Sequence, residues 1–225
     1  MDFVRALRIV FDDPQWVSKL AVAAVVTGVS LLLTPVLIGL AGWAILLGYQ
    51  LALIANLRAG VQYPLPRWID LSEYFNNGSQ ALTALIIYLL PLILFGCCIA
   101  TLSFFSDGNL SSGVMLGILC VAPFLLVYLL IALLLHTLGM GRFLDDPRLG
   151  VFFDIGGLLR LLRTRSDVTL RYLLNMIILG VIFGALNGIP CLGTLAYLGL
   201  QWPVSGALSG LFIHEMLDTP KRKAK

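Results

Sequence analysis

Long uninterrupted runs of apolar residues alternate with short polar segments along the chain. Four such runs cover residues 20–59, 81–105, 112–141 and 168–214. A bilayer core about 30 Å thick takes about 20 helical residues, so the first and last runs are each long enough for two crossings and each middle run for one. The pattern predicts six transmembrane helices, roughly over residues 17–36, 39–58, 79–105, 112–140, 168–188 and 192–214.

Turn-forming residues divide the two longest runs. Pro35 and Gly39 interrupt the first, and Gly188 and Pro190 interrupt the last, because proline lacks an amide donor and glycine weakens a helix. Runs such as "ALIIYLLPLILFG" lack the alternation of a lipid-facing strand. We therefore expect an all-α fold: a single transmembrane domain spanning residues 1–225, built as three hairpins and ending in a basic cytoplasmic tail over residues 215–225.

Composition agrees with a membrane protein. The chain is 59% hydrophobic and 12% charged, with a mean hydropathy of +0.95, whereas soluble domains are about 25% charged. The first apolar run leads directly into a second, which favours an uncleaved anchor over a signal peptide. Cys97, Cys98 and Cys120 fall within predicted helices, so we expect free thiols rather than a disulfide framework.

The basic residues all fall on one side of this topology. Six crossings place the 15 lysines and arginines in the N-terminus, the loops at 59–78 and 141–167, the C-terminus, or at the membrane edge beside them. Cytoplasmic segments carry the basic excess, so we expect a multi-pass protein of the cell membrane with both termini in the cytoplasm. Five or seven crossings would scatter the arginines over both faces.

A short amphipathic motif occurs twice. A shift of 155 positions places "FVRALR" over "LLRLLR", with Arg5 over Arg160 and Arg8 over Arg163. Each copy precedes a pair of predicted membrane helices, and "WIDLSEYFNNGSQ" is a fainter third copy. We expect three parallel units, each an interfacial segment followed by a hairpin.

The physical role predicted for these segments is to lie in the cytoplasmic interface, with leucines at acyl-chain depth and arginines among phosphates. Anionic lipid contributes about 1 kcal/mol per basic residue near the surface. The expected partner is therefore anionic membrane lipid, and no nucleic-acid module is present. The predicted lipid contacts are Arg5, Arg8, Arg160, Arg163 and Arg165.

Glycines at four-residue spacing predict close helix packing, since small residues let membrane helices approach each other. We expect the fifth and sixth helices to pack along their glycine faces, with a hinge or an oligomer seam as the alternative. The glycines concerned are Gly113, Gly117, Gly180, Gly184, Gly188, Gly206 and Gly210. Pro91 and Pro123 are expected to bend the third and fourth helices.

Few residues suggest chemistry. "HEMLD" matches the His-Glu-x-x-His zinc motif only up to its last position, and a metal set of His136, His214 and Asp218 is the weak alternative to ordinary interfacial polar side chains. We expect no cofactor.

Gln50, Asn175 and Gln201 are polar groups within predicted helices. They either line a substrate route or form hydrogen bonds between helices. No charged residue lies near the predicted midplane, which counts against an ion-coupled pump.

The first 75 residues carry a set of short motifs: "DPQW" followed by Lys19, "GY" at residues 48–49, "NLRAG", and "LPRW" followed by Asp70. In these motifs the chain resembles an uncharacterised family of prokaryotic multi-pass membrane proteins, a domain of unknown function. The family usually has an acidic residue where Arg67 stands. The resemblance implies a prokaryotic cytoplasmic membrane and about six crossings, and it carries over no activity.

These observations favour a non-enzymatic structural or accessory membrane protein. A small-solute or lipid transporter is the first alternative and an intramembrane metal-dependent enzyme the second. A homo-oligomer or an unidentified membrane protein partner remains open.

Overall fold

A computed structural model describes residues 3–105, 112–189 and 192–218. The described residues are 88% helical and contain no strand, which confirms the all-α prediction. In chain order the helices are α1 (Phe3–Phe11), α2 (Trp16–Leu33), α3 (Gly39–Arg58), α4 (Leu71–Phe105), α5 (Ser112–Asp145), α6 (Ile155–Thr164), α7 (Ser166–Asn187) and α8 (Leu192–Ile213).

Within the described residues, five helical segments are long and apolar enough to cross a membrane. The 22-residue α8 is not among them. Gln201, Trp202 and Pro203 interrupt its apolar sequence, so its crossing stays a prediction. The five segments are Trp16–Val36, Gly39–Arg58, Leu71–Phe105, Val114–Asp145 and Ser166–Asn187.

The turn between α2 and α3 lies where proline and glycine predicted it. A short 3-10 turn, Thr34–Val36, follows α2, and Leu37 then adopts a left-handed conformation with φ of 63°. A Cβ added to Gly39 would lie 2.2 Å from the carbonyl oxygen of Ser30. The hairpin is therefore too tight for a larger residue at position 39.

The third interfacial segment is not a separate element, and that prediction is wrong. Its sequence forms the first turns of α4, which begins at Leu71 and packs along α3. A Cβ on Gly78 would lie 1.8 Å from the Ala44 carbonyl oxygen, and a Cβ on Gly48 would lie 1.9 Å from that of Tyr74. The two glycines let the backbones touch, so this segment is held by α3.

The centre of the bundle is formed by α3 and α8. Half of the most apolar part of α3 is buried, against 11% for α4. The C-terminal half of α8 is almost fully buried. This helix packs on α1, α2, α3, α5 and α7. Among the described side chains, α4 buries no residue after Pro91, and α5 buries none before Pro123.

The two predicted amphipathic helices, α1 and α6, are present. Their apolar faces contact the bundle: Ala6 and Val10 of α1 are fully buried, and so is Leu158 of α6. The prediction that these faces lie mainly at acyl-chain depth is corrected accordingly, because α8 and α5 lie where the lipid was expected. The order of one short helix followed by two long helices occurs twice, in α1–α3 and α6–α8.

Candidate functional site

A cluster of polar and aromatic side chains joins the start of α2, the middle of α3 and the loop that leads into α4. We call it the Lys19 cluster, and its members are Asp13, Lys19, Tyr49, Trp68 and Tyr74. All are buried except Trp68, which is half-buried. Asp13 and Lys19 are charged side chains that are buried within the described structure, and they form an ion pair with each other.

An ion pair lies at the centre of the Lys19 cluster. The Lys19 Nζ lies 2.6 Å from Asp13 Oδ2 and donates a second hydrogen bond of 2.7 Å to the Leu65 carbonyl oxygen. Asp13 Oδ1 accepts the backbone N–H of Gln15 at 2.8 Å. Asp13 is 2% exposed and Lys19 is 8% exposed. A charge this buried is tolerated only when it is paired and hydrogen-bonded, and both conditions are met.

Aromatic rings fix the loop against this pair. Tyr49 stacks on Trp68 with ring centroids 4.4 Å apart, and Tyr74 meets both rings edge-on. The Trp68 Nε1 donates to the Lys19 carbonyl oxygen at 3.0 Å, and the Tyr74 hydroxyl donates to that of Arg67 at 2.6 Å. The Tyr49 hydroxyl is buried without a hydrogen-bond partner among the described residues.

The motifs that carry the family resemblance therefore converge in space. "DPQW" with Lys19, "GY" and "LPRW" all contribute to the Lys19 cluster, and in "NLRAG" the Asn56 amide donates to the Pro64 carbonyl oxygen at 2.9 Å, which closes the loop. These contacts were not predictable from the sequence, because each depends on the loop folding back over α2. Tyr74 and Gly78 were missed; an aromatic and a glycine four residues apart at a helix start are the only signal for them.

A cavity of about 380 Å³ opens beside the Lys19 cluster. Its wall combines exposed polar residues of the first turn of α2, the half-buried Trp68 and exposed apolar side chains. The lining residues are Gln15, Ser18, Lys19, Val22, Arg67, Trp68 and Ile69.

A second polar network joins three helix ends. Arg58, the last residue of α3, lies 3.0 Å from Asp145 at the end of α5 and 2.8 Å from Asp218 after α8. It also donates to the Gly141 carbonyl oxygen at 3.1 Å. The hydrogen bond from Arg58 lowers the pKa of Asp218 below its ordinary value of 3.8. The ends of α3, α5 and α8 therefore meet at one end of the bundle.

The predicted metal set does not assemble. His136 is buried in α5, where its Nε2 lies 3.0 Å from the Ala81 carbonyl oxygen and its ring stacks on Phe152. His214 instead pairs with Asp218 at 3.2 Å, within the Arg58 network. Within the described residues no three metal-ligating side chains come together. That alternative is wrong because the two histidines have separate partners.

The three polar residues that the sequence placed within predicted membrane helices have different roles. The Gln50 amide donates to Ser205 Oγ at 2.8 Å and joins α3 to α8. Asn175 Oδ1 accepts the backbone N–H of Phe3 at 2.9 Å and joins α7 to the start of α1. Gln201 lines a lateral groove of about 300 Å³ between α7 and α8. Interhelical hydrogen bonding is therefore the role of Gln50 and Asn175.

The close glycine contacts differ from those predicted. Gly206 and Gly210 of α8 face α3, since an added Cβ would lie 2.9 Å from Leu53 and 2.5 Å from Leu57 respectively. Gly180 and Gly184 of α7 would meet nothing within 4 Å, and both line the lateral groove. Spacing alone did not reveal which neighbour each face meets.

The remaining glycines give little close packing. A Cβ on Gly117 would also meet nothing within 4 Å, and one on Gly188 would contact only the Ala185 carbonyl oxygen of its own helix, at 3.2 Å. The surroundings of Gly113 lie outside the described part of the structure.

The predicted lipid-contact arginines fall into two groups. Arg5 and Arg8 on α1 and Arg160 and Arg163 on α6 are exposed. Arg165 is half-buried and donates to the Glu215 carbonyl oxygen. It ties the start of α7 to the turn after α8.

Comparison with known proteins gives a family and no activity. A family model described as "Protein of unknown function (DUF4013)" matches residues 17–192, which is more than half of the chain and contains α2 to α7. No curated protein and no solved structure matches the chain.

Proposed function

Since this chain belongs to the DUF4013 family of unknown function, we propose its role from the geometry: a non-enzymatic, structural or accessory component of the cell membrane. It crosses the membrane six times with both termini in the cytoplasm. It contacts anionic lipid through the arginines of α1 and α6.

The arrangement of helix ends supports six crossings. The Arg58 network brings the ends of α3, α5 and α8 together, as six antiparallel crossings require. Because α8 lies at the centre of the bundle, its serines form hydrogen bonds with polar residues of other helices. Ser205 binds Gln50, and Ser209 lies 3.0 Å from the Tyr172 hydroxyl. A helix surrounded by other helices needs less apolar sequence than one facing lipid.

The observation that carries the lipid role is the exposure of α1 and α6. Each helix packs one apolar face on the bundle and leaves two arginines on the other face. Within the described residues Arg5, Arg8 and Arg163 have no ion-pair partner. Unpaired arginines on a helix at the membrane surface attract anionic headgroups.

The test replaces Arg5, Arg8, Arg160 and Arg163 together by glutamine and measures lipid retention. The purified protein is placed in mixed micelles of phosphatidylglycerol and phosphatidylcholine, and retained lipids are counted by native mass spectrometry. We expect the preference for phosphatidylglycerol to fall. Arg148→Gln is the matched control, because Arg148 pairs with Asp146. An unchanged preference in the fourfold variant would overturn the lipid role.

Orientation is tested separately. A single cysteine replaces Arg163 in a chain whose native cysteines are serines, and a membrane-impermeant maleimide is applied to intact cells. We expect labelling only after the cells are opened. Labelling of intact cells would place α6 outside and overturn the proposed topology.

A transporter of lipid or small solutes is the second candidate, and the lateral groove favours it. Gln201 offers an amide there at a lipid-accessible position, and it makes no hydrogen bond within the described residues. Reconstituted vesicles with Gln201→Leu test this candidate: it requires that the wild type move lipid between leaflets faster than protein-free vesicles and that the variant be slower.

A further inference from the structure

We propose that the cavity beside the Lys19 cluster binds the phosphate headgroup of one anionic glycerophospholipid, with Arg67 as its cationic ligand. The inference rests on the proposed cytoplasmic orientation and anionic-lipid contact. It adds a specific site to the general attraction by α1 and α6.

Charge distinguishes this cavity from a larger polar cleft elsewhere in the described structure. Lys19 is neutralised by Asp13, so Arg67 is the uncompensated charge of the wall: its side chain is exposed and has no ion-pair partner within the described residues. Arginine holds phosphate through two parallel N–H bonds. The cavity therefore carries one net positive charge with the geometry to bind an anion.

A larger cleft, of about 640 Å³, lacks this property. Its two arginines already have carboxylate partners: Arg142 lies 2.6 Å from Asp154, and Arg148 pairs with Asp146. The guanidinium of Arg142 lowers the pKa of Asp154 and so keeps that carboxylate charged. An anion entering this cleft would have to displace a carboxylate, whereas an anion at Arg67 displaces none.

Hydrogen-bond donors at the start of α2 line the same cavity as Arg67. Gln15 and Ser18 are both exposed on the cavity wall. The Gln15 side-chain amide can donate to a phosphate oxygen, and the Ser18 hydroxyl, which now donates to the Gln15 carbonyl oxygen at 3.0 Å, can rotate to do the same. The start of an 18-residue helix adds a favourable field for an anion.

An apolar path leads away from the cavity along α2. Val22 lines the cavity, and Val25 and Val29 continue its face at helical spacing; they are 39%, 64% and 49% exposed. Ile69 closes the opposite wall and is 71% exposed. Trp68 lies between the polar and the apolar parts, where tryptophan is favoured in a membrane interface. Arg67, Trp68 and the valines of α2 therefore follow one another in the same order as the phosphate, glycerol and acyl chain of a phospholipid.

This order selects a lipid over a soluble phosphate. A free phosphate needs only the Arg67 end of the cavity and would leave Val22 and Ile69 bare. A glycerophospholipid fills both parts, with its headgroup in about 380 Å³, a volume within the range of small-ligand sites, and its acyl chain on α2.

The experiment counts lipids retained by the full chain from mixed micelles of phosphatidylglycerol and phosphatidylcholine. In the wild type we expect one phosphatidylglycerol to survive conditions that strip the rest. Arg67→Gln should reduce the occupancy of this lipid about fivefold, the worth of one basic residue near the surface, and Arg67→Lys should retain part of it. Arg148→Gln, which removes an exposed arginine already paired with Asp146, is the matched control and should leave it unchanged.

The outcomes separate this site from the general lipid role. If Arg67→Gln retains the lipid like the wild type while the fourfold α1 and α6 variant loses its preference, the site is refuted and the proposed function stands. If Arg67→Gln alone loses the lipid, the site stands without the α1 and α6 role. If inorganic phosphate bound at this site as well as phosphatidylglycerol does, the assignment to a lipid would be overturned. Thermal unfolding of Arg67→Gln checks its fold, and its side chain has no structural contact to lose.

Discussion

Lys19 is bound to Asp13 across the turn between α1 and α2, with 2.6 Å between Nζ and Oδ2, in a position that leaves both charges almost without solvent. The same ammonium group holds the Leu65 carbonyl oxygen of the loop before α4. A single side chain therefore connects the turn before α2, the start of α2 and the loop before α4, and its loss has consequences in each of them.

Replacing Lys19 by methionine should destabilise the protein by about 3–5 kcal/mol, because it leaves the Asp13 carboxylate buried and unpaired. The measurement is the free energy of unfolding in detergent. The double variant Asp13→Asn with Lys19→Met should recover much of the loss, since it removes both charges. A single variant as stable as the wild type would show that the pair is solvated in the membrane.

Gly78→Ala should be strongly destabilising, since its Cβ would lie 1.8 Å from the Ala44 carbonyl oxygen. The helices must separate, and overpacking of this kind costs about 1–3 kcal/mol. Gly184→Ala is the matched control: its Cβ meets nothing within 4 Å, and alanine is the better helix former by about 1 kcal/mol. Thermal unfolding of both variants should show opposite shifts. Equal shifts would contradict the α3–α4 contact.

Asn175→Ala should loosen α1, because Asn175 Oδ1 accepts the Phe3 backbone N–H. Loss of a cap-like bond costs about 1 kcal/mol. Hydrogen exchange of the α1 amides measures the effect, and we expect faster exchange there with little change in α3. Gln201→Ala serves as control, since Gln201 lines the lateral groove and does not contact α1. Unchanged exchange in α1 would mean that packing on α8 alone holds it.

This bond also shows where sequence reasoning succeeds and where it stops. The apolar face of "FVRALR" predicted a helix correctly, because amphipathic periodicity is local. How far α1 extends along α7 was not predictable. Asn175 lies nine residues into α7, about 13 Å along that helix. The start of α1 is therefore well along α7 from its first residue, rather than level with that residue.

The same division applies to the Lys19 cluster and the glycines. Pro35 and Gly39 marked the α2–α3 turn, since backbone constraints act on neighbours in sequence. The pairing of Lys19 with Asp13 and the contact of Gly78 with Ala44 depend on which helix faces which. Four-residue spacing was equally good at Gly184 and Gly210, yet only Gly210 packs closely, because α3 is its neighbour.

Acid should weaken the Arg58 network through Asp218. The hydrogen bond from Arg58 lowers the pKa of Asp218 in the folded protein below the ordinary 3.8. A carboxyl group with a lowered folded pKa stabilises the protein above its unfolded pKa, and this stabilisation is lost as the pH falls through the folded pKa. The contribution of Asp218 should therefore be constant from neutral pH down to about pH 5 and then decline.

The measurement is the difference in unfolding free energy between the wild type and Asp218→Asn across this pH range. The other ionisable groups are present in both proteins, so their effects largely cancel in the difference. We expect a positive difference above pH 5 that shrinks on further acidification. A difference that stays constant into acid would show that Arg58 does not stabilise the Asp218 carboxylate. The joint end of α3, α5 and α8 would then depend on Asp145 and the Gly141 carbonyl oxygen instead.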